Sequence, residues 1–203
     1  GNVALGDTAL DDGSLSGNNN TAVGSGALTA NTSGAENTAV GMQSLDANTT
    51  GSSNSGMGVN TLTSNTEGDH NTAVGRDALQ NNTTADSNTA VGRSALSANT
   101  TGTNNVAVGY QALIANTTGS SNVAVGVGAL DSNTTSTDST AVGTNALGVN
   151  TGAGNTAIGS HALDANTSGI NNTAMGVNAL GANTTGGPNI AIGNSALLSN
   201  TTG

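Results

Sequence analysis

Cysteine, phenylalanine, tryptophan and lysine are all missing from this 203-residue chain, which has one tyrosine (Tyr110) and one proline (Pro188). Without Cys there is no disulfide framework and no thiolate metal site. Without large aromatic side chains the chain cannot build the thick core of a globular enzyme. Two arginines against twelve acidic residues give a net charge of −10, and that balance leaves no basic footprint for a phosphate backbone, so nucleic acid is not an expected partner. No stretch reads as a signal peptide or a membrane span in this segment. Charge is scarce as well, at 7% of residues, and the apolar residues recur at fixed offsets, a pattern that points to order and not to a solvated, disordered chain.

What the chain has is one repeat, close to Asn-Thr-Ala-Val-Gly-x-x-Ala-Leu, restarting at residues 2, 20, 37, 54, 71, 88, 105, 122, 139, 155, 172 and 189. Nine of the eleven spacings are 17 residues; the first is 18 and the step from Ser139 to Asn155 is 16. A fixed period of this length is the signature of a solenoid in which each repeat is one coil. The expectation is a single repeat domain over 1–203, with no internal boundary, forming a segment of a longer fibre.

Positions are counted here from the repeat's first residue. Position 4 is apolar throughout, as in Val23, Val40, Val74, Val91, Val108, Val125, Val142, Ile158 and Ile192, with Met57 and Met175 in the same column. Position 5 is always glycine: Gly24, Gly41, Gly75, Gly92, Gly109, Gly126, Gly143, Gly159, Gly176 and Gly193 among them. An apolar residue running into an unvarying Gly reads as a strand entering a corner that needs positive φ or close backbone approach. Position 9 is always leucine, including Leu28, Leu45, Leu79, Leu96, Leu113, Leu130, Leu147, Leu163 and Leu197, after an Ala that becomes Ser44 and Thr61 in two repeats. The Val/Ile and Leu columns are the expected core, with a second short strand over positions 7–10. Helix is set aside because a Gly in every unit and an Asn-Thr-Thr-Gly spacer leave each candidate too short. Asn recurs at position 12, from Asn31 to Asn200, where stacked amides suit a tight turn. At about 4.8 Å per coil the rod would be roughly 55 Å long.

Each coil offers one large aliphatic, one Leu and two Ala, which barely offsets the entropy of ordering it. Parallel sister chains sharing their apolar sides would make up the difference, so the expected partner is a second and third copy: a homotrimer about a common axis.

Asn122-Val123-Ala124-Val125-Gly126, Asn105-Val106-Ala107-Val108-Gly109 and Asn189-Ile190-Ala191-Ile192-Gly193 resemble the Ser/Asn-Val-Ala-Ile-Gly repeats of the YadA-like head of trimeric autotransporter adhesins, and the likeness runs the whole chain. Similar repeats appear in phage tail fibres. The resemblance implies a left-handed parallel β-roll, three rolls about one axis, and a head that binds host matrix proteins or other surfaces. This chain departs from it in its longer repeat, its Leu at position 9 and its Asn-Thr-Thr-Gly turn.

Positions 6 and 7 vary most, as expected of outward-facing residues. Position 6 in three successive repeats is Arg76, Arg93 and Tyr110, with Gln111 beside the last. Arg and Tyr are the residue types of interface hot spots, and this stripe is the candidate ligand contact. The alternatives are a solvated ladder or an intersubunit salt bridge, and a seam between subunits, because Met42, Val59, Val127 and Val177 occupy the same position elsewhere. His70 and His161 lie five coils apart, too far to share a metal, and no metal or other cofactor is expected. Asn31-Thr32-Ser33 and Asn116-Thr117-Thr118 are formal glycosylation sequons, but the same residues are explained by the turn, which is the favoured reading. Asp46, Asp131 and Asp164 share position 10 several coils apart, too far for paired acid–base work.

No nucleophile–base pair or phosphate loop is evident, so enzymatic activity is not expected. The expected function is a non-enzymatic extracellular fibre domain on a bacterial surface or a virion. It would be an adhesin head or rigid spacer presenting a surface to a receptor, matrix protein or glycan; the alternatives are a phage tail-fibre segment and, from the Thr columns at positions 2 and 13, an ice-binding rod.

Overall fold

A computed structural model of the chain describes residues 1–13 and 15–203. Among them the only regular elements are twelve three-residue strands, one per repeat: β1 Val3–Leu5, β2 Thr21–Val23, β3 Thr38–Val40, β4 Ser55–Met57, β5 Thr72–Val74, β6 Thr89–Val91, β7 Val106–Val108, β8 Val123–Val125, β9 Thr140–Val142, β10 Thr156–Ile158, β11 Thr173–Met175 and β12 Ile190–Ile192. They pair in parallel, strictly in sequence order, in one sheet. Register never slips: Ala22 faces Ala39 and Ala90 faces Ala107, and even across the shortened repeat Ala141 faces Ala157. The chain is an all-β solenoid with its strands stacked as rungs, as the fixed period leads one to expect.

Each strand covers positions 2–4. Side chains alternate across a strand, so position 3 points inward while positions 2 and 4 share the outer face. Position 3 is Ala in most coils, and Ala22, Ala73, Ala107 and Ala141 are completely buried. The core consists of three columns: Ala at position 3, Ala at position 8 and Leu at position 9, with Leu28 through Leu180 fully enclosed. Small side chains on one wall and a Leu from the other make a coil that is thin because nothing bulky separates its two sides. The position-4 residues stand on the outside: Val40, Val91, Val125 and Ile158 are 36–38% exposed, and Val23, Val74, Val108 and Val142 are half-buried on the same face. Ile192 and Leu197, in the last coil, are 70% and 50% exposed.

The expected second strand over positions 7–10 is not there. That segment is a turn in which positions 7 and 9 both take the left-handed conformation, as at Ser94 (φ 57) and Leu96 (φ 51) or Gln111 (φ 58) and Leu113 (φ 52). The turn still bonds coil to coil: Leu28 N donates to Ser44 O at 3.0 Å and Ala30 N to Asp46 O at 3.0 Å. Left-handed φ costs an L-residue about 1–2 kcal/mol, and burying a Leu returns about 1.5–3 kcal/mol. Val and Ile fit this φ far less well, because a branched Cβ crowds the backbone. The unvarying Leu at position 9 is thereby explained.

At the corner, Gly24 has φ +132, and a Cβ there would lie 2.6 Å from Gly41 O in the next coil. Gly143 repeats this with φ +137 and 2.6 Å to the Gly159 carbonyl. Conformation and close stacking both require glycine.

Two buried Asn ladders run along the rod. At position 12, Asn48 Nδ2 donates to Asn31 Oδ1 at 2.9 Å and to Gly51 O at 2.9 Å. The pattern continues through Asn65, Asn82, Asn99, Asn116 and Asn133. At position 1, Asn20 Oδ1 accepts from Asn37 N at 2.9 Å, and Asn37 Nδ2 donates to Gly51 O at 2.7 Å. The carbonyl of Gly51 thus takes one amide from each ladder. The rung starting at Ser139 interrupts both: Asn155 N reaches Ser139 Oγ at 3.4 Å, and Asn150 Nδ2 turns to Ser136 Oγ and Gly152 O. Asn166 Nδ2 restores the position-12 ladder on Asn150 Oδ1 at 2.8 Å. No buried side-chain nitrogen or oxygen among the described residues lacks a partner, so two columns of buried amides are tolerated.

Candidate interaction surface

The strands pair in constant parallel register, so each side-chain column on the outer face continues from rung to rung. Position 4 gives an apolar column from Leu5 to Ile192, with Met57 47% and Met175 39% exposed. Position 2 runs beside it as half-buried Thr at β2, β3, β5, β6, β9, β10 and β11, with Val3, Ser55, Val106, Val123 and Ile190 at the others. Just past the Gly corner lies position 6, the downstream edge of the face. Residues 16 and 17, just before the next Asn, form its upstream edge.

The stripe at position 6 is assembled as neighbouring rungs. Arg93 lies over the Tyr110 ring, its Cζ 5.9 Å from the ring centre, at the outer limit for a cation–π contact. Arg76 Nε meets Asp77 Oδ2 of its own coil at 3.2 Å. Gln111 is half-buried in the left-handed turn, its amide bonded to Arg93 O at 3.1 Å. Position 7 thus has its backbone fixed in the left-handed turn, while its side chain is exposed at Gln43 and Asn178 and half-buried at Ser94 and Gln111. Val127 and Val177 at position 6 are 49% and 44% exposed, so the downstream edge is apolar at β8 and β11, whereas Ser25, Thr144, Ser160 and Asn194 make it polar at β2, β9, β10 and β12.

Other singled-out groups take different places. His161 Nδ1 lies 2.8 Å from Ser160 Oγ, and its Nε2 lies 3.4 Å from Asn145 Nδ2. With Asp164, Asn178 and Leu198 it borders an open groove of about 500 Å³ where Gly181 offers no side chain. Asp131 and Asp164 sit closer than their spacing suggests, because bare Gly148 lies between them. A Cβ on Gly148 would be 2.7 Å from Asp164 Oδ1 and 3.8 Å from Asp131 Oδ1. Among the described residues no three His, Cys, Asp or Glu side chains converge as a metal site. The sequon residues Asn31 and Asn116 are fully buried with their amides bonded. Position-13 threonines bond back to the rod, as Thr49 Oγ1 does to Thr66 O at 3.0 Å, and so do not present a free hydroxyl column. No helix among the described residues is long and apolar enough to cross a membrane.

The sequence motifs did not signal the buried position-1 Asn, although its recurrence before every strand but β9 could have done so. No protein-family model matches this sequence, and no curated protein matches it.

Proposed function

We propose that the chain is a non-enzymatic extracellular fibre segment, a rigid rod that serves as adhesin head or spacer and assembles as a homotrimer of left-handed rolls through the outer face of its sheet. The observation that carries this reading is the unbroken position-4 column, half-exposed over the length of the rod. A continuous apolar column is not a normal solvent surface, and the apolar side chains of each coil's own core are only Leu and Ala. Packing the columns of sister chains about an axis parallel to the rod covers them with little bulk between the sheets. The resemblance of the strand motif to YadA-like head repeats supports the same arrangement and a role in contacting surfaces. A phage tail-fibre segment is built on the same rod and shares the assembly.

Sedimentation equilibrium tests the reading directly. The expected mass is three times the 19.2 kDa chain, with a far-ultraviolet spectrum free of helix. A stable, folded single chain at micromolar concentration would overturn it. The surface role is tested with beads carrying the assembled rod, which are expected to bind matrix-coated or cell surfaces.

A further inference from the structure

The only two arginines of the chain sit on adjacent rungs, and so do the only two acids found two residues ahead of a repeat's first residue. Asp69 precedes β5 and Arg76 follows it; Asp86 precedes β6 and Arg93 follows it. The other nine repeats from β2 onward place a neutral residue at the upstream site. Within one coil the two charges lie on opposite sides of the three-residue strand, seven residues apart in sequence, and no ion pair joins them: the one found among the described residues is Arg76–Asp77. Both carboxylates are held at the edge by the backbone. Asp69 Oδ1 accepts from Ser52 N at 2.6 Å and Asp86 Oδ1 from Asp69 N at 2.7 Å, which leaves Oδ2 of each free of coil bonds. Arg93, over the Tyr110 ring, has no carboxylate partner among the described residues.

We infer that these four residues form the register lock between copies of the chain: Arg76 pairs with Asp69, and Arg93 with Asp86, of a neighbouring copy. The inference rests on the assembly reading above and names its contacts. Rotation about an axis parallel to the rod keeps rungs level and brings the downstream edge of one sheet against the upstream edge of the next. At β5 and β6 that contact sets cation against anion. At β11 it sets Val177, 44% exposed, against Ile170, 50% exposed. A slip by two or more rungs separates every pair and sets apolar side chains against carboxylates. The apolar column alone is nearly identical from rung to rung and cannot define register, so the charges supply it. Glu36 and Asp138 also lie on the upstream edge, at β3 and β9, where the downstream residues are Met42 and Thr144, and they take no part in the lock.

The test is a charge cycle on the full chain, read as the dissociation constant of the assembly by sedimentation. Asp69→Asn with Asp86→Asn keeps Oδ1 as acceptor for the same backbone amides while removing both charges; Arg76→Gln with Arg93→Gln removes the others. Each pair of substitutions is expected to weaken assembly by about ten-fold or more, and all four together no more than either pair alone. Wild-type assembly is expected to weaken as salt rises above about 0.1 M, and the four-fold variant to lose that dependence. Additive losses, or no loss, in a protein that still assembles would overturn the charge lock and leave the assembly standing. A wild-type chain that sediments as a single copy would overturn both.

Discussion

Ser44 Oγ lies 2.7 Å from Thr61 Oγ1 inside the core, in the one part of the rod where the inward strand residue is Gly56. Three departures from the repeat compensate one another: two hydroxyls replace two Ala neighbours, and a glycine replaces the Ala they would strike. A Cβ on Gly56 would be 2.5 Å from Ser44 Oγ and 2.9 Å from Thr61 Oγ1. Met57, the next residue in the strand, points to the outer face, 47% exposed, and does not fill the space beside Gly56. Gly56→Ala alone is therefore expected to destabilise the rod by about 1–3 kcal/mol through overpacking. Gly56→Ala combined with Ser44→Ala and Thr61→Ala is expected to recover wild-type stability or exceed it. Urea denaturation of the single and triple variants checks both.

Leu96 gives a separable test of the left-handed turn. By volume, Leu→Ile in a core costs less than about 1.5 kcal/mol. Here the residue has φ 51, where a branched Cβ is strained, so Leu96→Ile is expected to cost about 2–4 kcal/mol, clearly more than Leu96→Met. Equal costs for the two variants in equilibrium denaturation would argue against the turn geometry.

The amide ladder predicts a local effect. Asn99 Nδ2 donates to Asn82 Oδ1 and Gly102 O, and its Oδ1 accepts from Asn116 Nδ2 at 2.9 Å. Asn99→Ala leaves buried groups on both neighbouring rungs short of a partner, at a cost of about 2 kcal/mol. Because each rung contacts only its neighbours, amide hydrogen exchange is expected to accelerate over the adjoining coils and to change little several rungs away.

These cases show what the repeat discloses on inspection and what it conceals. Coil period, strand position and the glycine corner are legible because a period of 17 and an unvarying Gly admit few geometries. The turn was not legible: Ala-Leu at positions 8 and 9 suits a strand or a short helix equally, and nothing in Leu itself signals positive φ. The two faces of the strand were also concealed. In Thr89-Ala90-Val91 the largest residue draws the eye as core, yet alternation lets only Ala90 or the pair Thr89 and Val91 point inward, and the threonine settles it in favour of Ala90. The stripe at Arg76, Arg93 and Tyr110 follows from stacking alone, whereas the closeness of Asp131 and Asp164 depends on Gly148, which a count of coils does not weigh.

That inversion of faces yields a last prediction that separates folding from assembly. Val91 and Val125 are each 36% exposed on the outer face, so glutamate at either position meets solvent in a single coil and loses little stability there. In a trimer the same side chains lie between sheets, where an unpaired carboxylate is costly to desolvate. Val91→Glu with Val125→Glu is expected to release single 19.2 kDa chains that keep a β spectrum at high concentration. Ala107→Glu, one residue further inward on a neighbouring rung and fully buried, is expected to unfold the coil around it, because no space or partner exists for a carboxylate beside Leu113 and Ala112 in the core cluster. If both variants unfold alike, the position-4 column belongs to the core of each chain; dissociation without unfolding in the first and unfolding in the second assigns it to the contact between chains.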